Sequence, residues 1–183
     1  MNNAIKEELF RHLVIARLAY PLSKLKTIDY LYRYQGKLLD IDAVYRFLDK
    51  LNDKLKPQVE KIAFDHTTKI LNGNISVVFY LWHIEKAFRM SKTDLRIRPI
   101  YHRLRNRIEA HICISFTAYC IYKELERVLY EEKSTLSLKK ASEITHNMYR
   151  ITYTLPESKH KKSRLLNMDT EQAELYQIIN KKF

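Results

Sequence analysis

The sequence predicts a mainly helical protein with one or two short strands. Three observations predict it. Only 2 Gly and 4 Pro occur in 183 residues, so the breakers that punctuate β-rich folds are scarce. Apolar residues recur at helical spacing along most of the chain. One run, Ile75-Ser76-Val77-Val78-Phe79-Tyr80, is β-branched and aromatic and has the composition of a buried strand.

The elements follow in order. Residues 7–20 place Leu9, Leu13, Ala16 and Tyr20 at helical spacing, and Pro21 closes that helix. Ser23 caps a second helix that runs to about Tyr34 and ends at Gly36. Asp42 is read as the cap of a short helix over 44–51, with Val44, Phe47, Leu48 and Leu51 on its apolar side. Pro57 stands in the first turn of a fourth helix that ends near Asn72 and Gly73. The strand 75–80 follows, then a helix over 81–91 and an extended piece at 97–100 broken by Pro99. The longest helix spans 103–132 and another spans 137–148. Residues 149–155 read as extended, with 151–155 a candidate partner for strand 75–80, and 156–164 read as a basic loop. Asp169 and Gln172 form a capping box for a last helix reaching about Asn180. Two regions result, a helical one over 1–73 and a second over 74–183.

Composition narrows the function classes. With 46% hydrophobic and 30% charged residues the chain has a soluble globular profile rather than a disordered one. A net charge of +12 and a pI of about 9.6 favour a polyanionic partner, held through phosphate contacts and counterion release. The longest apolar run, 110–122, covers 13 residues and contains His111, Ser115 and Thr117. A membrane span needs about 20 apolar residues. With no signal-peptide core in residues 1–15, the expectation is a cytoplasmic protein without a membrane partner. Cys113 and Cys120 lie seven apart on one helical face, too far for a disulfide, and read as free thiols.

The segment richest in chemistry is 82–107, where eight Lys and Arg stand against Glu85 and Asp94. On a helix Glu85, Arg89 and Lys92 share a face. A carboxylate at the end of a basic stripe suits a metal ion beside a phosphodiester, although an ordinary Glu–Arg ion pair on a solvated helix is the commoner meaning of such a pattern.

The residues Ile84-Glu85-Lys86-Ala87-Phe88-Arg89-Met90-Ser91-Lys92, then Arg98-Pro99-Ile100-Tyr101-His102 and Ala110-His111-Ile112, resemble the C-terminal end of DDE transposases of the insertion-sequence group with the Y-R-E-K signature. The resemblance implies a remnant of an RNase-H-like α/β core. It makes Glu85 the catalytic, metal-binding carboxylate and Lys92 a contact to DNA phosphate near the transposon end. Arg89 supports phosphate binding, and Lys86, Arg96, Arg98, His102 and Arg103 complete the DNA-facing block. The signature places Tyr at 78 and Arg at 81, where this chain has Val78 and Leu81.

Residues 75–80 resemble the lead into the family's first core strand, which ends on the first catalytic Asp. Here Leu81 follows Tyr80, and the intervening strands and second Asp are missing. Two-metal phosphoryl transfer needs several carboxylates around both ions, and one Glu does not hold a Mg²⁺ pair. Asp40, Asp42, Asp65 and Asp94 each read more simply as caps, turns or surface residues. The resemblance therefore implies a transposition-related, nucleoid-associated DNA-binding protein without a complete active site. Mg²⁺ is its cofactor only if it is active. Its partners are transposon-end DNA and a further copy or a full-length transposase. Two alternatives stand beside this reading. One is a non-enzymatic basic helical regulator of transposition. The other is a metal-independent ribonuclease, because Arg105 to His111 resembles the R-x5-H motif of HEPN proteins, a spacing that Arg96 and His102 repeat.

Overall fold

A computed structural model describes residues 3–73, 89, 92–93, 95–96, 100, 102–157, 159–166 and 168–182. The fold is mainly helical, with a two-stranded antiparallel sheet among the described residues. The chain separates into two compact units, 1–121 and 122–183. The expected strand 75–80, most of the expected helix 81–91 and the predicted boundary after residue 73 fall on or beside residues outside those described.

The first unit begins with α1 (Asn3–Ala19). Leu9, Leu13 and Ala16 are buried as the spacing predicts, and Val14 joins them, whereas Tyr20, expected on the same stripe, lies past the helix end and is exposed. Pro21 follows its end, and α2 (Lys24–Gln35) starts from Ser23. Gly36 closes α2 at φ +60°, with its N–H donating to Tyr32 O and the Lys37 N–H donating to Leu31 O. That left-handed backbone is open to glycine at little steric cost.

The cap of α3 (Ile41–Lys50) corrects the sequence reading. Asp40, not Asp42, has the extended backbone of a cap, and its carboxylate accepts from the Asp42 and Ala43 amides at 3.3 Å each. Asp42 lies inside the first turn, where its charge suits the helix dipole. A π-helical turn, Leu51–Leu55, then runs directly into α4 (Lys56–Ile70), so the two expected helices form one continuous rod. Pro57 explains the widening. It has no N–H to give, and the Lys56 N–H reaches back to Leu51 O instead.

The longest helix, α5 (Arg105–Glu131), has 27 residues and is about 40 Å long at 1.5 Å per residue. Residues 105–121 belong to the first unit, where Ala110, Ile114 and Ala118 join Leu9, Leu13, Val44, Phe47, Leu48, Leu51 and Leu95 in one core. Full burial of each leucine contributes about 1.5–3 kcal/mol.

Residues 122–131 of α5 belong to the second unit. Leu129 packs there with Leu136, Ala141 and Ile144 around α6 (Leu138–His146), and with Leu175 of α7 (Thr170–Lys182). Ser137 caps α6 by accepting from the Lys140 amide at 3.2 Å. The predicted capping box is present. The Asp169 carboxylate accepts from the Gln172 N–H at 2.7 Å, and the Gln172 side chain accepts from the Asp169 N–H at 3.1 Å.

Between these helices β1 (Arg150–Thr154) pairs with β2 (Lys161–Leu165), with Thr152 opposite Ser163. This corrects the expectation of a basic loop over 156–164: its second half is a strand, and that strand is the partner of β1. No buried face marks it in the sequence, because nearly every side chain of the hairpin is exposed.

Candidate anion-binding cleft

Arg17 is the residue around which the site is built. It falls on the apolar stripe of α1, one turn after Leu13, and is 5% exposed. From there its guanidinium donates to the carbonyls of Leu95 and Arg96 and to His111 Nδ1, each at 3.4 Å. These are long contacts for charged donors. Leu95 is buried in the first unit's core, so packing and Arg17 together anchor this part of the basic segment to α1. Arg96 adopts φ +42°, a backbone that costs strain in a residue with a Cβ.

The result is a cleft of about 500 Å³ lined by Arg17, residues 21–26, Tyr45, Arg96, His102 and His111. Among the described residues no Asp or Glu lines it. Lys24 is 8% exposed there, and burial, reinforced by Arg17, pushes its ammonium down to about 7. One pKa unit is about 1.4 kcal/mol, so holding that charge in the cleft costs several kcal/mol. Burial lowers His102 as well, aided by Lys24, Arg107 and Arg17 and opposed by Asp49. Asp49 is itself engaged, accepting from Arg107 Nε at 2.7 Å and Nη2 at 2.9 Å.

Aromatic contacts fix the imidazoles. The His102 ring meets Tyr45 edge-on at 6.1 Å and lies 5.8 Å from the His111 ring. Tyr45 also carries the Arg107 guanidinium 4.8 Å from its centroid. The Ser115 hydroxyl donates to the His111 carbonyl at 2.9 Å.

The cleft gathers only part of the residue set expected from sequence. Arg96 and His102 line it. Arg89, Lys92 and Arg103 are exposed, the first two in helical conformation. Glu85, Lys86 and Arg98 lie outside the described residues. Arg105 and His111, the pair with HEPN-like spacing, have different partners: Arg105 is exposed and donates to Glu109 at 2.9 Å, whereas His111 faces Arg17. Sequence reasoning missed Arg17, Lys24 and His111 as members of one site. Two signals pointed to them: a cation on the apolar stripe at Arg17, and a first turn of α2 with Lys24 and Lys26 but no acid, against the preference of a helix N-terminus.

Metal chemistry finds no ligand set among the described residues, where no three His, Cys, Asp or Glu side chains come together. The Asp40 carboxylate is occupied as a cap. Both cysteines are free, and burial pushes the Cys113 thiol up to about 11, which keeps it protonated.

No protein-family model, no curated protein and no solved structure matches this chain.

Proposed function

We propose that the chain is a transposition-related DNA-binding protein that holds the phosphate backbone and lacks a complete DDE metal centre. The observation that supports this most is the cleft itself. Arg17, Lys24, Lys26 and Arg96 line it together, with no acid among the described lining residues. Cations kept together without counter-charge favour an anionic ligand, and the net charge of +12 favours a polyanion. The link to transposition rests on the resemblance around Glu85, Arg89 and Lys92. The corresponding partners are transposon-end DNA, with a further copy or a full-length transposase as protein partner, and the corresponding location is the nucleoid.

The test is fluorescence anisotropy with duplexes drawn from the flanks of the reading frame and with shuffled duplexes, over a series of salt concentrations. The expected result is tighter binding to flanking DNA and a steep salt dependence. Equal affinities at every salt would leave charge binding alone and remove transposition from the reading. Absence of binding at low salt would remove DNA. Mg²⁺-dependent nicking that disappears in Glu85→Gln would overturn the inactive metal centre.

One observation favours a second reading, metal-independent phosphodiester cleavage: the His102 and His111 rings stand 5.8 Å apart beside Arg17 and Lys24. One imidazole would take the proton of an attacking hydroxyl while the other protonates the leaving oxygen. Nuclease activity that persists in EDTA and disappears in His102→Ala would establish it.

A further inference from the structure

We propose that the N-terminus of α2 seats a single phosphate group, held from inside the cleft by Lys24 and Arg17. The proposal deepens the DNA-binding reading and relies on it only for the identity of the larger molecule that carries the phosphate.

Two independent features coincide here. The first is the helix end. α2 has 12 residues, and Ser23 stands at its cap position with an extended backbone, yet its hydroxyl makes no capping bond. Among the described residues nothing in the protein accepts from the amides of Lys24, Leu25 and Lys26. These are the donors that an N-cap or a bound anion ordinarily satisfies.

The second feature is Lys24. Its side chain is buried, lines the cleft and has no hydrogen-bonding or ion-pairing partner among the described residues. An ammonium on a side chain this far buried is costly without a partner, and a dianion beside it offsets that cost. Arg17 stands next to it, with its fork spread over long contacts to two carbonyls and one imidazole.

The donor geometry selects the ligand class. The first residues of α2, with the ammonium of Lys24, and the Arg17 guanidinium from α1 all line the same cleft. A tetrahedral phosphate presents oxygens to all of them, whereas a planar carboxylate presents two in one plane. The cleft volume of about 500 Å³ falls in the range of small-ligand sites, about 300–1,000 Å³. It exceeds what a lone ion needs, so the phosphate is one end of a larger ligand: a strand terminus or a backbone unit of a nucleic acid.

The test uses the full chain and inorganic phosphate. Thermal unfolding is followed against phosphate concentration, with chloride at matched ionic strength as the control. The expected result is a saturable rise in Tm with phosphate alone. Lys24→Met should start from a higher Tm without phosphate and bind phosphate at least tenfold more weakly. A second variant, Ser23→Asp, places a carboxylate cap on the same amides and should likewise blunt the response. A phosphate response equal to that of chloride, or one undiminished in both variants, would overturn the proposal.

An anisotropy arm separates the two readings. Phosphate binding without DNA binding would leave the pocket standing and remove the DNA reading. DNA binding without a phosphate response would remove the pocket alone. Oligonucleotides with 5′-phosphate or 5′-hydroxyl ends then assign the source. A preference for the phosphorylated end identifies a terminal phosphate. Equal affinities, both competed by free phosphate, identify the backbone.

Discussion

Both units pair surface cations with acids, as Arg107 with Asp49 in the first, but among the described residues the first also buries two cations in a cleft. In the second unit cations sit at the surface beside acids: Lys181 donates to Glu132 at 2.6 Å, Lys140 pairs with Glu171 at 3.0 Å, and Arg127 is shared between Glu124 and Glu131. The cations of the hairpin are open to water. In the first unit Arg17 and Lys24 are buried in a cleft with no acid among its described lining residues. Surface pairs cost little to keep and contribute little, whereas a buried unpaired cation is costly. The contrast teaches where to look for function: at the charge whose cost the rest of the fold has to offset.

The comparison can be broken or sharpened by mutation, beginning with the largest effect. Leu48→Ala, at a fully buried position beside the cleft's supporting helices, should cost about 2–5 kcal/mol in denaturant unfolding. A loss below that range would mean the first unit is too loosely packed to force a charge into burial.

Lys24→Met should change stability in the other direction, raising it by about 1–3 kcal/mol as an unpaired buried charge is removed. It also has a pH signature. The folded-state pKa of Lys24 is about 7 against 10.5 for the free side chain, so between those values the unfolded chain holds the extra proton. Stability must therefore rise with pH from about 7 upward. Depression of His102 acts in the same direction at lower pH. The raised Cys113 thiol, from 9.0 to about 11, acts in the opposite direction above 9. The window from pH 7 to 9 is thus the one to measure by thermal unfolding, and Lys24→Met should flatten it. An equal slope in wild type and variant would remove Lys24 from the buried cations.

Smaller effects follow. Asp169→Ala should cost about 1 kcal/mol through loss of the capping box, read from the Tm. Smallest of all, Lys181→Ala should leave both the Tm and the salt dependence of DNA binding unchanged. Arg96→Ala should lower the magnitude of the slope of log K against log salt by about one. If the two variants lowered it equally, the distinction between the units would carry no functional meaning.

Much of the fold was legible because it is written in local chemistry. Pro21 and Gly36 end their helices, Ser137 and Asp169 begin theirs, and each acts through backbone groups within a few residues. The cap of α3 was misplaced by two positions because Asp40 and Asp42 are equally plausible by type, and only backbone conformation separates them. The strand β2 was read as loop because a ribbon exposed along its length has no alternation to detect. The cleft was only half legible. Arg96 and His102 belong to the basic segment that drew attention, but their companion Arg17 is 94 residues from His111 and meets it only through packing. The acid-free first turn of α2 is visible in the sequence, but the burial of Lys24 is not, since burial is a property of the neighbours and not of the residue.

The π-helical turn at Leu51–Leu55 has a consequence for the rod built from α3 and α4. A turn of this kind holds one residue more than a regular turn, so it offsets everything after it by about 100° around the axis. That offset aims Lys56 at Glu109, which it reaches at 3.0 Å. Deleting Asn52 would restore regular winding and swing the lysine away from its mate. The wide turn thus works as a clocking device, setting which side of the second half of the rod points at α5.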